Sequence, residues 1–276
     1  MSHQPPLCRF ALTTGTGAHD LQSVFGDYQE YEMNPPTGGN VFVQVFRVGD
    51  IPIAHVNRHG YGRTLKSGHY ILPQFIDHRI YIAALAKIGV RRIIGTSLVG
   101  GVADKTYIGQ VVLPNQCITP CFGRLSFAEP DDGPEFFGDM PNPFSVMLHH
   151  EVSNHLTQQG IGWRDFGTLE VIRGPKFETR ADVKRMRALG VTIAGMLTVL
   201  PEAFLGRELG MAVTPVCLIT DKPDEGTTQD KVIGVASEKM PRILHAIKGA
   251  LPELAKLSDD DLPLAIPSLM RRLHLS

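Results

Sequence analysis

The stretch Arg92-Ile93-Ile94-Gly95-Thr96-Ser97-Leu98-Val99-Gly100-Gly101 decides the fold. Its β-branched, apolar start reads as a strand buried on both faces, and the paired glycines close it. Working outward, residues 79–88 carry helical spacing and Gly89 is placed to end that helix. Residues 110–118 read as the next strand. Residues 41–47, 52–57, 168–172, 191–194 and 212–219 supply further strands. Helices are expected over residues 144–159, 179–189, 201–209, 232–251 and 259–271. Alternating strands and helices predict an α/β fold in which helices flank a central, mixed but mostly parallel, twisted sheet. The 276 residues are expected to form one domain, with residues 1–9 flexible.

Composition narrows the function. Hydrophobic residues make up 43% and charged residues 20%, with a formal net charge of −1. There is no Lys/Arg block, so neither nucleic acid nor an anionic membrane is an expected partner. No apolar run approaches the roughly 20 residues that span a bilayer. Cys8, Cys117, Cys121 and Cys217 complete no metal-ligand set and are expected to be free thiols in a reducing, cytoplasmic setting; no metal is expected.

Four segments, the last of them a pair, follow predicted strands, where open α/β sheets bind ligands. Thr13-Thr14-Gly15-Thr16-Gly17 offers small residues, hydroxyls and approachable backbone N–H groups to an anion. Asn57-Arg58-His59-Gly60 adds a planar guanidinium fork and an imidazole. Thr96-Ser97-Leu98-Val99-Gly100-Gly101 suits a ligand floor or a simple turn. Gly174-Pro175-Lys176-Phe177-Glu178-Thr179-Arg180 and Ile219-Thr220-Asp221-Lys222 together offer an aromatic face and carboxylates to a flat heterocycle. Phe177 equally suits core packing, and Glu178 and Asp221 suit helix capping or a solvated surface.

In order and spacing these segments resemble the purine nucleoside phosphorylase and 5′-methylthioadenosine phosphorylase family, over about residues 14–251. Arg58-His59-Gly60 resembles the RHG of the methylthioadenosine enzymes. Gly174-Pro175-Lys176-Phe177-Glu178-Thr179 resembles the motif GPxFET, the most specific of the set. Leu197-Thr198-Val199-Leu200-Pro201-Glu202 resembles M-S/T-x-V/M-P-E. The resemblance implies a nucleoside phosphorylase-type fold and a pentosyltransferase that uses inorganic phosphate as co-substrate, with no cofactor. It implies Thr16, Arg58, His59, Ser97 and Thr198 around the phosphate. It places Leu98, Val99, Gly100 and Leu197 at the sugar, and Phe177, Glu178 and Asp221 at the purine. Asp221 and His59 are the implied catalytic residues. It also implies a homotrimer or trimer-based hexamer, with Phe137 positioned to reach a neighbouring subunit.

The departures limit the substrate. The family's V-N-Y-R-A-N appears as Ile76-Asp77-His78-Arg79-Ile80-Tyr81, which leaves His78 or His69 to replace the sugar contact. Leu197 stands for a sugar-contacting Met, and Pro223, beside Asp224, stands for a second acidic residue. Asp221 is the residue type that reads a 6-amino purine, whereas Glu178 matches the group that reads N1–H of 6-oxopurines. Weighing Asp221 and Arg58-His59-Gly60 more heavily gives 5′-methylthioadenosine as the expected substrate. The alternative is a 6-oxopurine nucleoside (inosine, guanosine or 5′-methylthioinosine). A water-using nucleosidase and a non-catalytic nucleoside-binding relative are more distant.

Overall fold

Strand β1 (Phe10–Thr14) is buried at all five positions, and its residues feed two different apolar clusters. Phe10 and Leu12 join one, while Ala11 between them joins the other. The computed structural model, which describes residues 4–18, 20–60, 70–120, 125–133, 138–196 and 199–275, repeats this along the sheet. In β5 (Arg92–Gly101), Ile93 and Ile94 go to opposite clusters; in β11 (Ala212–Asp221), Cys217 and Ile219 oppose Val216 and Leu218. Successive side chains of a strand leave opposite faces, so such strands must be covered twice. Helices α2 (His78–Lys87) and α5 (Leu200–Glu208) cover one face. Helices α1 (Leu21–Phe25), α3 (Val146–Gln158) and α6 (Gln229–Leu254) cover the other. Each fully buried Ile or Leu of this kind stabilises the fold by about 1.5–3 kcal/mol.

The remaining strands are β2 (Tyr28–Met33), β3 (Val41–Val48), β4 (Ile51–Asn57), β6 (Val111–Leu113), β7 (Gln116–Ile118), β8 (Trp163–Asp165), β9 (Thr168–Ile172) and β10 (Ile193–Met196). They run in the order β2-β3-β4-β1-β5-β10-β9-β7, while β11 pairs with β5 and β6, and β6 with β8. Pairings β1–β4, β1–β5, β5–β11, β9–β10, β7–β9 and β6–β8 are parallel. Pairings β2–β3, β3–β4, β5–β10 and β6–β11 are antiparallel. The sheet is thus mixed and mostly parallel, as its pattern predicts.

Two expected elements divide. Residues 110–118 form β6 and β7 rather than one strand, because Pro114 has no N–H to give a ladder and the N–H groups of Asn115 and Gln116 both donate to the Gly167 carbonyl. Residues 259–271 form a short 3-10 turn, Asp259–Asp261, and then α7 (Pro267–Arg272). Pro263 interrupts a continuous helix, and Pro267 fits a helix start where its missing N–H costs nothing.

Strands β1, β4, β5 and β11 all point the same way, so their carboxyl ends open at one edge. Their register sets Thr14 beside Asn57, Thr13 beside Gly95 and Cys217 beside Ser97. A register shift between Ile219 and Asp221 on β11 re-aims the last side chains of that strand. Among the described residues, no helix is long and apolar enough to cross a membrane.

Candidate active site

At that edge lies a cleft, where open α/β sheets bind their ligands. Gly15, Thr16, Arg58, His59, Ser97, Leu98, Val99, Gly100, Phe177, Glu178 and Asp221 all line it. Segments scattered over more than two hundred positions therefore meet in one place.

Arg58 and His59, which follow β4, are each 3% exposed. The Arg58 Nη1 donates to Thr13 Oγ1 at 3.1 Å and to Glu202 Oε1 at 3.0 Å, and Nη2 donates to the Thr96 carbonyl. Glu202, in the first turn of α5, is fully buried and also accepts from the Tyr81 hydroxyl at 2.8 Å. His78 Nδ1 lies 2.6 Å from that hydroxyl. The Tyr81 proton goes to the carboxylate, so the tyrosine oxygen accepts from His78. Burial, reinforced by the Arg58 charge, pushes the His78 pKa down to about 3, which keeps the ring neutral. Gly95 admits this network: a Cβ there would sit 2.7 Å from Glu202 Oε2. Gly15 keeps a milder clearance, since its Cβ would lie 3.2 Å from His59 Nε2.

His59 is held from its other side. Its Nδ1 lies 2.8 Å from the Ile71 carbonyl, and the Ile71 N–H donates back to the His59 carbonyl at 3.0 Å. Tyr70 stacks on the imidazole with ring centroids 4.2 Å apart and 16° between the planes. Its hydroxyl lies 3.0 Å from Thr16 Oγ1 and 3.1 Å from His59 Nε2.

The other end of the cleft is acidic and apolar. Asp221 is 6% exposed; its Oδ1 accepts from the Thr220 hydroxyl at 3.1 Å. Its Oδ2 is buried with no hydrogen-bond partner among the described residues. Burial raises the Asp221 pKa above the ordinary carboxylate value, and the Thr220 hydroxyl offsets part of that. Burial also raises Glu178, with the Asp221 charge adding to it. Phe177, 36% exposed, keeps a ring face available at this end. Thr179 caps α4 (Arg180–Ala188) in a reciprocal box with Asp182, which fixes where Glu178 leaves the loop. Gly100, beside Asp221, lies four positions along β5 from Thr96, at the guanidinium; that is about 13 Å.

Sequence-predicted residues divide three ways. Those lining the cleft are given above. Leu197, Thr198, Phe137 and His69 lie outside the described residues, as does Cys121. His78 does not line the cleft, since it is committed to Tyr81. Asp224 pairs with Arg187 at 2.7 Å, while Pro223 packs beneath Gly100. Tyr70, Pro73, Met196, Gln229 and Val232 also line the cleft and were not legible as site residues. Tyr70 carried no signal beyond being an aromatic hydroxyl soon after Arg58-His59. The described cysteines Cys8, Cys117 and Cys217 are free. Among the described residues, no group of three or more His, Cys, Asp or Glu is placed to hold a metal ion.

A cleft at the carboxyl ends of parallel strands, lined by a guanidinium and an imidazole as well as by two carboxyl groups, is the arrangement of a small-molecule site. The chain belongs to the phosphorylase superfamily, whose family model matches residues 9–251. It is 30% identical over 258 residues to the 6-oxopurine nucleoside phosphorylase of Pyrococcus furiosus, covering 90% of this chain and 94% of that one. It is 29% identical over 263 residues to the S-methyl-5′-thioadenosine phosphorylase of Saccharolobus solfataricus, covering 92% and 93%. A variant of the adenosine/methylthioadenosine phosphorylase of Schistosoma mansoni, solved in complex with methylthioadenosine, superposes with a TM-score of 0.81 at 21% identity over 97% of both chains. That likeness fixes the shared fold.

Proposed function

We propose that the protein is a purine nucleoside phosphorylase that cleaves 5′-methylthioadenosine with phosphate, giving adenine and 5-methylthioribose 1-phosphate. The observation that carries the base preference is the unpartnered Oδ2 of Asp221 in a cleft with Arg58 and His59. In the reaction a phosphate oxygen bonds to C1′ as the C1′–N9 bond breaks, and the bond's electron pair leaves into the purine. The transition state resembles the oxocarbenium ion of glycoside hydrolysis. Thr16, Arg58, His59, Ser97 and Thr198 hold the phosphate, which is itself an adequate nucleophile. Asp221, whose protonated form burial favours, donates its proton at N7 and accepts from the 6-amino group. Phe177 covers the ring, and Leu98, Val99, Gly100 and Leu197 line the sugar.

The sign of the pH dependence follows. Asp221 must be protonated to donate, and its pKa is raised. Activity should fall as pH rises through that raised value. No organic cofactor or metal has a role in this scheme. The free thiols fit a reducing, cytoplasmic setting. A homotrimer or trimer-based hexamer, with Phe137 reaching a neighbouring site, is proposed on family resemblance.

The second reading, a 6-oxopurine nucleoside phosphorylase, is favoured by Glu178. Glu178 lines the same cleft, and its carboxylate can accept from the N1–H of a 6-oxopurine. A nucleoside panel at saturating phosphate separates the readings. 5′-Methylthioadenosine should give the highest kcat/KM; fast inosine or guanosine cleavage without methylthioadenosine activity would contradict the first reading.

A further inference from the structure

Among the residues around the cleft, Tyr70 has a position that no sequence motif explains. Its hydroxyl stands between the two groups proposed to hold phosphate, 3.0 Å from Thr16 Oγ1 and 3.1 Å from His59 Nε2. Its ring lies flat on the imidazole, 4.2 Å away. The placement is built in. Ile71 exchanges two hydrogen bonds with His59, one through its N–H at 3.0 Å and one through its carbonyl at 2.8 Å. That reciprocal pair pins the neighbouring Tyr70 over the ring.

The pairing also fixes where the imidazole carries its hydrogen. The Ile71 carbonyl can only accept, so Nδ1 is the protonated nitrogen and Nε2 of the neutral ring is an acceptor. Tyr70 donates to that nitrogen, and Thr16 donates to the Tyr70 oxygen. An oxyanion that touches both Thr16 and His59 lies within reach of the hydroxyl bridging them. Monohydrogen phosphate has one P–OH, which can replace the Tyr70 hydrogen at Nε2. The Tyr70 O–H is then released to donate to a phosphate oxygen.

We propose that Tyr70 is a phosphate-site residue: its hydroxyl supplies a hydrogen bond to the anion, and its ring holds His59 in plane. The inference rests on the phosphorolytic reading above and adds a donor outside the Thr16, Arg58, His59, Ser97 and Thr198 set. Tyr70→Phe keeps the stacked ring and removes only the hydroxyl. A hydrogen bond to a charged group is strong enough that its loss should raise the phosphate KM about 10- to 100-fold. The KM for 5′-methylthioadenosine should stay within about twofold.

Steady-state kinetics varying each substrate at saturating levels of the other read this directly. A wild-type phosphate KM in Tyr70→Phe overturns the inference alone. Equal rises in both KM values also overturn it, because they mark general disturbance of the cleft. A wild-type rate that ignores phosphate would instead remove the phosphorolytic reading, and this inference with it. Thermal melting supplies a readout free of turnover: millimolar phosphate should raise the Tm of the wild type and raise that of Tyr70→Phe markedly less. Equal shifts in the two proteins count against the role.

Discussion

Replacing Asp221 by Asn is expected to lower turnover of 6-aminopurine nucleosides by about 10²–10⁴-fold, the range that a positioned general acid contributes. The carboxamide would keep the size of the side chain and the bond to Thr220, but it has no proton to give to N7. It can still donate a hydrogen bond, so cleavage of 6-oxopurine nucleosides should suffer far less or improve. The same change should stabilise the protein at neutral pH. A carboxyl whose pKa burial raises favours folding when protonated; that contribution is present below its ordinary value and is lost as pH rises through the raised one. The variant should therefore melt above the wild type at pH 7, with the gap closing as pH falls below about 4. Turnover of methylthioadenosine within tenfold of wild type would contradict the assigned role.

The second large effect concerns stability. Arg58 and Glu202 form an ion pair at 3.0 Å with both side chains fully buried. Glu202→Gln is nearly isosteric, yet it leaves the Arg58 guanidinium buried without its counter-charge. Removing one partner of a buried pair costs roughly 3–5 kcal/mol, a large share of the about 5–15 kcal/mol that holds a typical domain. Urea denaturation should show the loss. An Arg58→Met/Glu202→Leu double variant should recover much of the stability, because no unpaired charge remains, but should not recover phosphate-dependent activity. A Glu202→Gln midpoint close to wild type would show that the buried pair contributes little to stability.

These two residues also mark how far the chain can be read without coordinates. Buried strands such as β5 and β11 announce themselves through unbroken apolar runs, and the segments at their carboxyl ends follow from the parallel layout. Edge strand β2 does not, because Tyr28–Met33 is largely accessible to solvent and mixes polar with aromatic residues. The Arg58–Glu202 partnership spans 144 positions. Nothing local to either residue signals it, so the guanidinium reads in sequence as an open fork for phosphate. In the fold, Thr13, Thr96 and Glu202 orient that guanidinium from distant segments while it still lines the cleft. His78 misleads for the same reason: Tyr81 and Glu202 absorb it from one turn and from a distant helix. Asp221 was legible as a chemical type, but its raised pKa depends on burial that only packing creates.

The most direct test of the account is the phosphate dependence of adenine release from 5′-methylthioadenosine by the purified protein. Adenine and 5-methylthioribose 1-phosphate should form in equal amounts, with a rate that saturates in phosphate and falls to background without it. Adenine released at the same rate in phosphate-free buffer, with free methylthioribose as the second product, would contradict it.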